Sequence, residues 1–212
     1  MEQEIIKFLV EKYNPIVIAL VGSRAKGLNK ETSDWDLYLF IDDKKRRLGE
    51  FADYQGQLLD ITFREWSEDE TYVFNNPFGP AWPVKVLLDN SEGRFEKILE
   101  NTKASYDKGP LLAYPEGHAA RLQHLNRWQQ KMLAYQDNEI QFYYLCSLFP
   151  MLAQLWFEKH NMWPISPKPA LDYIKEHDLE FWNDLSSLTT SVAKERMELV
   201  DRLVKKINSA TE

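Results

Sequence analysis

The strongest constraint on the fold is a continuous apolar run, Ile16 to Val21, that ends abruptly at Gly22-Ser23. A short run rich in β-branched residues, with no polar alternation, is typical of a strand in the middle of a sheet. The preceding residues 2–13 repeat apolar side chains at helical spacing and stop at Asn14-Pro15, because the residue before a proline disfavours helix. These patterns predict that the chain begins with a helix, followed by a central strand and a glycine turn.

The two halves of the chain differ in pattern. Strands and one helix are predicted in the first half, at residues 35–41, 58–63 and 84–88 and at residues 91–106. The segment from Lys108-Gly109-Pro110 to Gly117 breaks this pattern. Only helical periodicity follows, at residues 118–135, 139–160, 168–177 and 179–208. We predict an α+β protein with a small mixed-sheet domain (1–108) and an all-α helical-bundle domain (109–212).

Composition limits the class of protein. The 212 residues are 44% apolar and 28% charged, with a formal net charge of −7, as in an ordinary globular domain. Without a long basic run, broad nucleic-acid binding is not expected; the short stretch Lys44–Arg47 is interpreted as a solvated turn.

No stretch approaches the roughly 18 apolar residues of a membrane span. Cys146, the only cysteine, is expected to be buried, and with no secretory signal we expect a cytoplasmic location.

Three carboxylates are the candidate metal ligands. Asp34 and Asp36 are one residue apart at the start of a predicted strand, so they project from the same face. On the next strand, burial of Leu59 and Ile61 turns Asp60 toward that side. Converging carboxylates repel one another unless a cation intervenes, and hard oxygen ligands suit Mg²⁺.

The glycine turn is the candidate phosphate site. Gly22 allows the backbone to approach a phosphate closely, and the Ser23 hydroxyl can donate a hydrogen bond. Exposed backbone N–H groups following a strand form an anion site. Arg24 and Lys26 add positive charge, although a surface role fits either of them as well.

The combination of Gly22-Ser23-Arg24-Ala25-Lys26-Gly27 with Ser33-Asp34-Trp35-Asp36-Leu37 resembles the nucleotidyltransferase superfamily of DNA polymerase β. The resemblance implies that Asp34, Asp36 and Asp60 are catalytic residues that bind metal ions, and that Gly22 and Ser23 hold the triphosphate. An α/β domain followed by a helical domain is similar to the kanamycin-type aminoglycoside nucleotidyltransferases. The resemblance implies Mg²⁺ and ATP as cofactors, and a homodimer, because two subunits form the cleft in those enzymes.

One position departs from the kanamycin-type pattern. Those enzymes use a glutamate on the first helix of the helical domain as general base, with a lysine one turn later. Lys131 fits the lysine, a nucleotide-binding position, but Arg127 stands where the glutamate is expected. An arginine cannot accept a proton at neutral pH. Either the base comes from elsewhere, with Asp137, Glu139 and Glu65 as candidates, or the acceptor needs none, or transfer is lost.

We therefore expect an Mg²⁺-dependent enzyme that transfers a nucleoside monophosphate, AMP from ATP, to a hydroxyl of a small molecule. The acidic charge suits a cationic acceptor such as an aminoglycoside antibiotic. Two alternatives stay open: an antitoxin-like enzyme that transfers AMP to a partner protein, and a non-catalytic nucleotide-binding module.

Overall fold

The structure is a computed structural model that describes residues 1–42, 49–67, 69, 71–76, 79–135, 138–165 and 167–209. The basic stretch Lys44–Arg47 lies outside these residues, so its interpretation as a turn stays a prediction. The described strands are β1 (Val17–Leu20), β2 (Trp35–Ile41), β3 (Gly49–Tyr54), β4 (Gln57–Glu65), β5 (Asn75–Asn76), β6 (Gly79–Pro80) and β7 (Lys85–Asp89). The described helices are α1 (Glu2–Tyr13), α2 (Gly22–Ala25), α3 (Arg94–Asp107), α4 (Pro110–Ala113), α5 (Pro115–Ala134), α6 (Asn138–Lys159), α7 (Pro167–His177), α8 (Leu179–Ser187) and α9 (Ala193–Asn208).

The chain divides into two compact units, Met1–Asp107 and Lys108–Glu212. The first contains every described strand of a mixed, five-stranded sheet in the order β3-β4-β2-β1-β7. The second is helical. The predicted α+β class is therefore confirmed.

The first unit has three layers because the strands alternate their side chains between two apolar cores. On one face, Ile5 and Leu9 of α1 pack against residues such as Leu37 and Ile61. On the other face, Phe95 of α3 packs with Val17, Ala19, Tyr38, Phe40 and Phe74. β1 is buried along its whole length, as its uninterrupted apolar run predicts.

Strand β3 was not predicted from the sequence. It pairs antiparallel with β4, and its residues alternate between exposed and half-buried. Gln55 and Gly56 connect the two strands with φ angles of 54° and 78°. A two-residue loop with both φ angles positive matches the natural twist of a hairpin. Since one position of this strand is glycine and two are charged, its sequence lacks the apolar run that marked its neighbours.

The helical unit corrects two expectations. The single helix predicted at 179–208 is two helices, because the segment between α8 and α9 turns the chain. There the Thr189, Thr190 and Ser191 side chains donate hydrogen bonds to backbone carbonyls, which competes with helical pairing. Cys146 is exposed, so the expectation of a buried thiol was wrong; the buried residues of α6 nearest to it are Leu145 and Leu148. None of the described helices combines the length and apolar character needed to cross a membrane.

Candidate functional site

Asp36 and Asp60 lie side by side on neighbouring strands. Strands β2 and β4 run parallel, and their register pairs Asp36 with Asp60. Their neighbours Trp35, Leu37, Leu59 and Ile61 are buried in the core on the α1 side. Because side chains alternate along a strand, both carboxylates project from the opposite face, which we call the carboxylate face. Asp34 is two residues before Asp36.

The glycine turn is in direct contact with Asp36. Gly22 has a φ of +69°, and a Cβ atom at this position would lie 1.9 Å from Asp36 Oδ2. The backbone N–H of Val21 also donates a hydrogen bond of 3.0 Å to the Asp36 carbonyl. A side chain at position 22 therefore has no room. Only glycine allows both this backbone conformation and this approach to the carboxylate.

The turn itself is short. Helix α2 spans four residues and its N-cap, Val21, provides no side-chain capping bond. A single turn has little dipole, so any anion site here depends on local N–H groups and the Ser23 hydroxyl. Lys26, which follows α2, is exposed.

Arg24 donates hydrogen bonds to the backbone that carries Asp34. Its Nε donates hydrogen bonds to the carbonyls of Ser33 (3.2 Å) and Asp34 (2.9 Å), and its Nη2 also donates to the Ser33 carbonyl. The guanidinium lies 4.5 Å from the centre of the Trp35 ring. Trp35 belongs to the core on the α1 side, so Arg24 fixes the backbone that carries Asp34. A contact between Arg24 and a triphosphate stays a prediction. In the structure its N–H groups donate to the backbone carbonyls of Ser33 and Asp34.

Burial and mutual repulsion make two of the carboxylates hard to ionise. The pKa of Asp36 is raised to about 6, first by burial and then by the negative charges of Asp34 and Asp60, while Arg24 acts in the opposite direction. Burial and the charge of Asp34 also raise the pKa of Asp60. Carboxylates under such repulsion favour a cation or a proton between them.

These carboxylates suit a divalent cation that is bound partly by substrate phosphates better than one that is bound by protein side chains alone. In the described part of the chain, no group of three or more His, Cys, Asp and Glu side chains is arranged to hold a metal ion. Mg²⁺, however, is usually bound by one or two carboxylates together with water and substrate phosphates. The hard oxygens of Asp36 and its neighbours would provide that share. Metal ligation by Asp34, Asp36 and Asp60 stays a prediction.

Two residues singled out in the sequence, Lys131 and Arg127, belong to the helical unit. Lys131 of α5 lies with its ammonium 4.9 Å from the ring centre of Trp128 and 5.9 Å from that of Tyr144. These are cation–π contacts inside that unit. Arg127, on the same helix, is exposed.

The alternative bases differ in their positions. Asp137 lies outside the described residues, and Glu139 is exposed on α6. Glu65 ends β4, five residues beyond Asp60. That spacing corresponds to roughly 16 Å along a strand and to the opposite face. Glu65 is therefore not on the carboxylate face.

The sequence pattern did not single out one buried carboxylate, Glu158 of α6, which is 1% exposed. Its Oε2 is 2.8 Å from His118 Nδ1, and its Oε1 accepts a hydrogen bond of 3.1 Å from Gln154. Arg121 Nε lies 2.7 Å from Oε1 but without hydrogen-bond alignment. The charge of Arg121 and the two other polar contacts offset the cost of burying this carboxylate. The sequence does carry a local signal for this cluster, because Gln154 and Glu158 are four residues apart on one helix.

Comparison with known proteins supports the chemistry of the first unit. Residues 3–69 match the family described as polymerase beta, nucleotidyltransferase. The match supports the DNA polymerase β-like nucleotidyltransferase superfamily. The matched segment contains the glycine turn and all three carboxylates, and the match supports nucleotidyl transfer as the general activity of such a domain. It ends before the helical unit, so it does not confirm the kanamycin type.

A crystal structure of a nucleotidyltransferase-like protein from Exiguobacterium sibiricum 255-15 is also similar. The similarity covers 98% of this chain and 74% of that chain, at 9% sequence identity and a TM-score of 0.49. At this level it adds no argument about the site. No curated protein matches the chain.

Proposed function

We propose that the protein transfers a nucleoside monophosphate from a nucleoside triphosphate, with ATP as the expected donor, to a hydroxyl of a small molecule. One observation carries the proposal: the glycine turn after β1 touches Asp36, which is paired in register with Asp60. The proposed anion site and the proposed cation site would therefore be neighbours, as a metal-bound triphosphate requires.

Each residue has a role in this proposal. The backbone of Gly22 and the hydroxyl of Ser23 hold the leaving phosphates, because they follow the strand that borders Asp36. Asp36 and Asp34 hold Mg²⁺, with Asp60 beside them. Mg²⁺, when bound, supplies charge neutralisation for the phosphate oxygens. Arg24 keeps Asp34 in place through its carbonyl contacts.

The transfer is a substitution at the α-phosphorus. The acceptor oxygen forms a bond to this phosphorus as the bond to the bridging oxygen of the pyrophosphate breaks. The hydroxyl proton passes to water or to a carboxylate of the site. Asp60 lies on the carboxylate face and Glu65 does not, so among these two Asp60 is the better placed to receive it.

The test is nucleotide consumption. The protein is incubated with Mg²⁺ and each α-labelled triphosphate in turn, with aminoglycosides and lincosamides as acceptors, and pyrophosphate release and labelled product are measured. We expect Asp36→Asn to abolish Mg²⁺-dependent triphosphate binding and transfer. Glu31→Gln, which neutralises an exposed carboxylate of the neighbouring loop, is the matched control. Transfer by Asp36→Asn at the wild-type rate would exclude Asp36 as a metal ligand.

A non-catalytic nucleotide-binding module is the second candidate. The observation that favours it is Arg127, which stands exposed where the kanamycin-type enzymes have their base. This candidate predicts Mg²⁺-dependent triphosphate binding that Asp36→Asn removes, with no pyrophosphate released for any acceptor. Labelling of a protein rather than of a small molecule would instead support the antitoxin-like alternative.

A further inference from the structure

Two exposed apolar side chains lie beside the carboxylates. Phe51 of the edge strand β3 is 73% exposed, and Leu58 of β4 is 48% exposed. The register pairs Phe51 with Asp60 and Asp53 with Leu58. Ala52 and Tyr54, which alternate with Phe51, pack toward the core on the α1 side. Phe51 and Leu58 therefore lie on the carboxylate face.

These side chains form one continuous surface with Asp60. Directly paired residues in antiparallel strands have Cβ atoms about 4.5–5.5 Å apart, and diagonal neighbours about 7–8 Å, within reach of an aromatic ring. Phe51 is the direct neighbour of Asp60 and the diagonal neighbour of Leu58. We call these three residues the ring patch. Exposed Asp53 continues it along the strand.

The strand order indicates which substrate would reach the ring patch. Across the sheet, the sequence of features is the glycine turn after β1, Asp36 on β2, Asp60 on β4 and Phe51 on β3. In phosphoryl and nucleotidyl transfer, the attacking and leaving oxygens lie on opposite sides of the phosphorus. With the leaving pyrophosphate at the glycine turn, the acceptor enters from the side of Asp60 and Phe51.

We propose that the ring patch is the acceptor subsite and that it binds a small cationic molecule whose reactive hydroxyl is on, or next to, a planar apolar ring. The ring stacks on Phe51 and contacts Leu58, while Asp53 attracts the positive charge and Asp60 faces the reactive hydroxyl. The assignment to an acceptor rests on the proposed function. It favours a ring-bearing acceptor over the fully polar surface of an aminoglycoside.

Tyramine and ethanolamine are matched probes, because both have a hydroxyl and an ammonium group but only tyramine has a ring. Ligand-observed saturation-transfer NMR on the full chain should show contact with tyramine and none with ethanolamine. Phe51→Ala should lose the tyramine signal and Phe51→Trp should retain it. Val10→Ala, which trims an exposed apolar side chain of α1 on the other side of the sheet, should change nothing.

The same variants separate the subsite from the chemistry. With a ring-bearing acceptor, Phe51→Ala should raise the acceptor KM by roughly 3- to 10-fold, as expected for one aromatic contact, with the KM for the triphosphate unchanged. If Phe51→Ala loses the tyramine signal but the wild type releases no pyrophosphate with any acceptor, the ring patch is supported as a binding surface and the proposed function is contradicted.

Three results would overturn the inference. The first is a tyramine signal that is absent in the wild type or equal in Phe51→Ala. The second is a loss of triphosphate affinity in Phe51→Ala, which would assign the ring patch to the nucleobase. The third is dissociation of a dimer by this substitution in analytical ultracentrifugation, which would make Phe51 an interface residue.

Discussion

Replacement of Gly22 by alanine provides the sharpest test of how the turn and the carboxylate depend on each other. A Cβ at this position lies 1.9 Å from Asp36 Oδ2, and real Cβ contacts essentially never fall below 3.0 Å. Asp36 therefore has to move by about 1.1 Å. A misplacement of about 1 Å at a reacting centre can reduce the rate about 100-fold. The positive φ of +69° adds a cost of about 1–2 kcal/mol for an L-residue.

Gly27 is the matched control. Its φ is +68°, close to that of Gly22, but nothing lies within 4 Å of a Cβ built there. Gly27→Ala should therefore lose the same 1–2 kcal/mol in the free energy of unfolding, measured in urea, and retain Mg²⁺-dependent triphosphate binding and transfer. Gly22→Ala should lose the stability and about 100-fold of the transfer rate. Equal transfer by the two variants would refute the claim that Gly22 is required because of Asp36.

Three further predictions concern charge. Because burial and the neighbouring carboxylates raise the pKa of Asp36 to about 6, the folded state holds its proton more tightly than the unfolded state. The stability contributed by this group therefore falls as the pH rises from about 4 to about 6. Asp36→Asn should melt at a higher temperature than the wild type at pH 8 and at the same temperature near pH 4, by calorimetry; a constant difference across this range would contradict the assignment. Arg24→Met should raise the Mg²⁺ concentration needed for half-maximal triphosphate binding, and Arg24→Lys should raise it less. A direct contact between Arg24 and phosphate would instead predict a loss of triphosphate affinity even at saturating Mg²⁺. Glu158→Ala should destabilise the protein by about 3 kcal/mol, because it leaves His118 and Arg121 without their carboxylate; a loss below 1 kcal/mol in urea would show that these contacts are not coupled to folding.

The local pattern of the sequence was sufficient to predict most of the large strands of the first unit and the faces of their side chains. The apolar runs of β1 and β2 and the alternation in β4 depend on nearest neighbours along the chain, and so do the faces of Asp36 and Asp60. Strand β3 was missed because an exposed edge strand buries little apolar surface and leaves little periodic signal. The break between α8 and α9 was missed for a related reason, since hydroxyl side chains compete for backbone groups without changing the apolar period.

The sequence by itself determined the α+β class and which residue types are available for metal and phosphate chemistry, because local periodicity and side-chain chemistry are properties of the chain. Only the tertiary structure decided that Asp36 pairs with Asp60, that Gly22 touches Asp36, and that Phe51 lies beside Asp60. Strand register is set by packing between residues distant in sequence. The direction of Arg24 was decided in the same way, by a ring and two carbonyls that only the folded chain brings together.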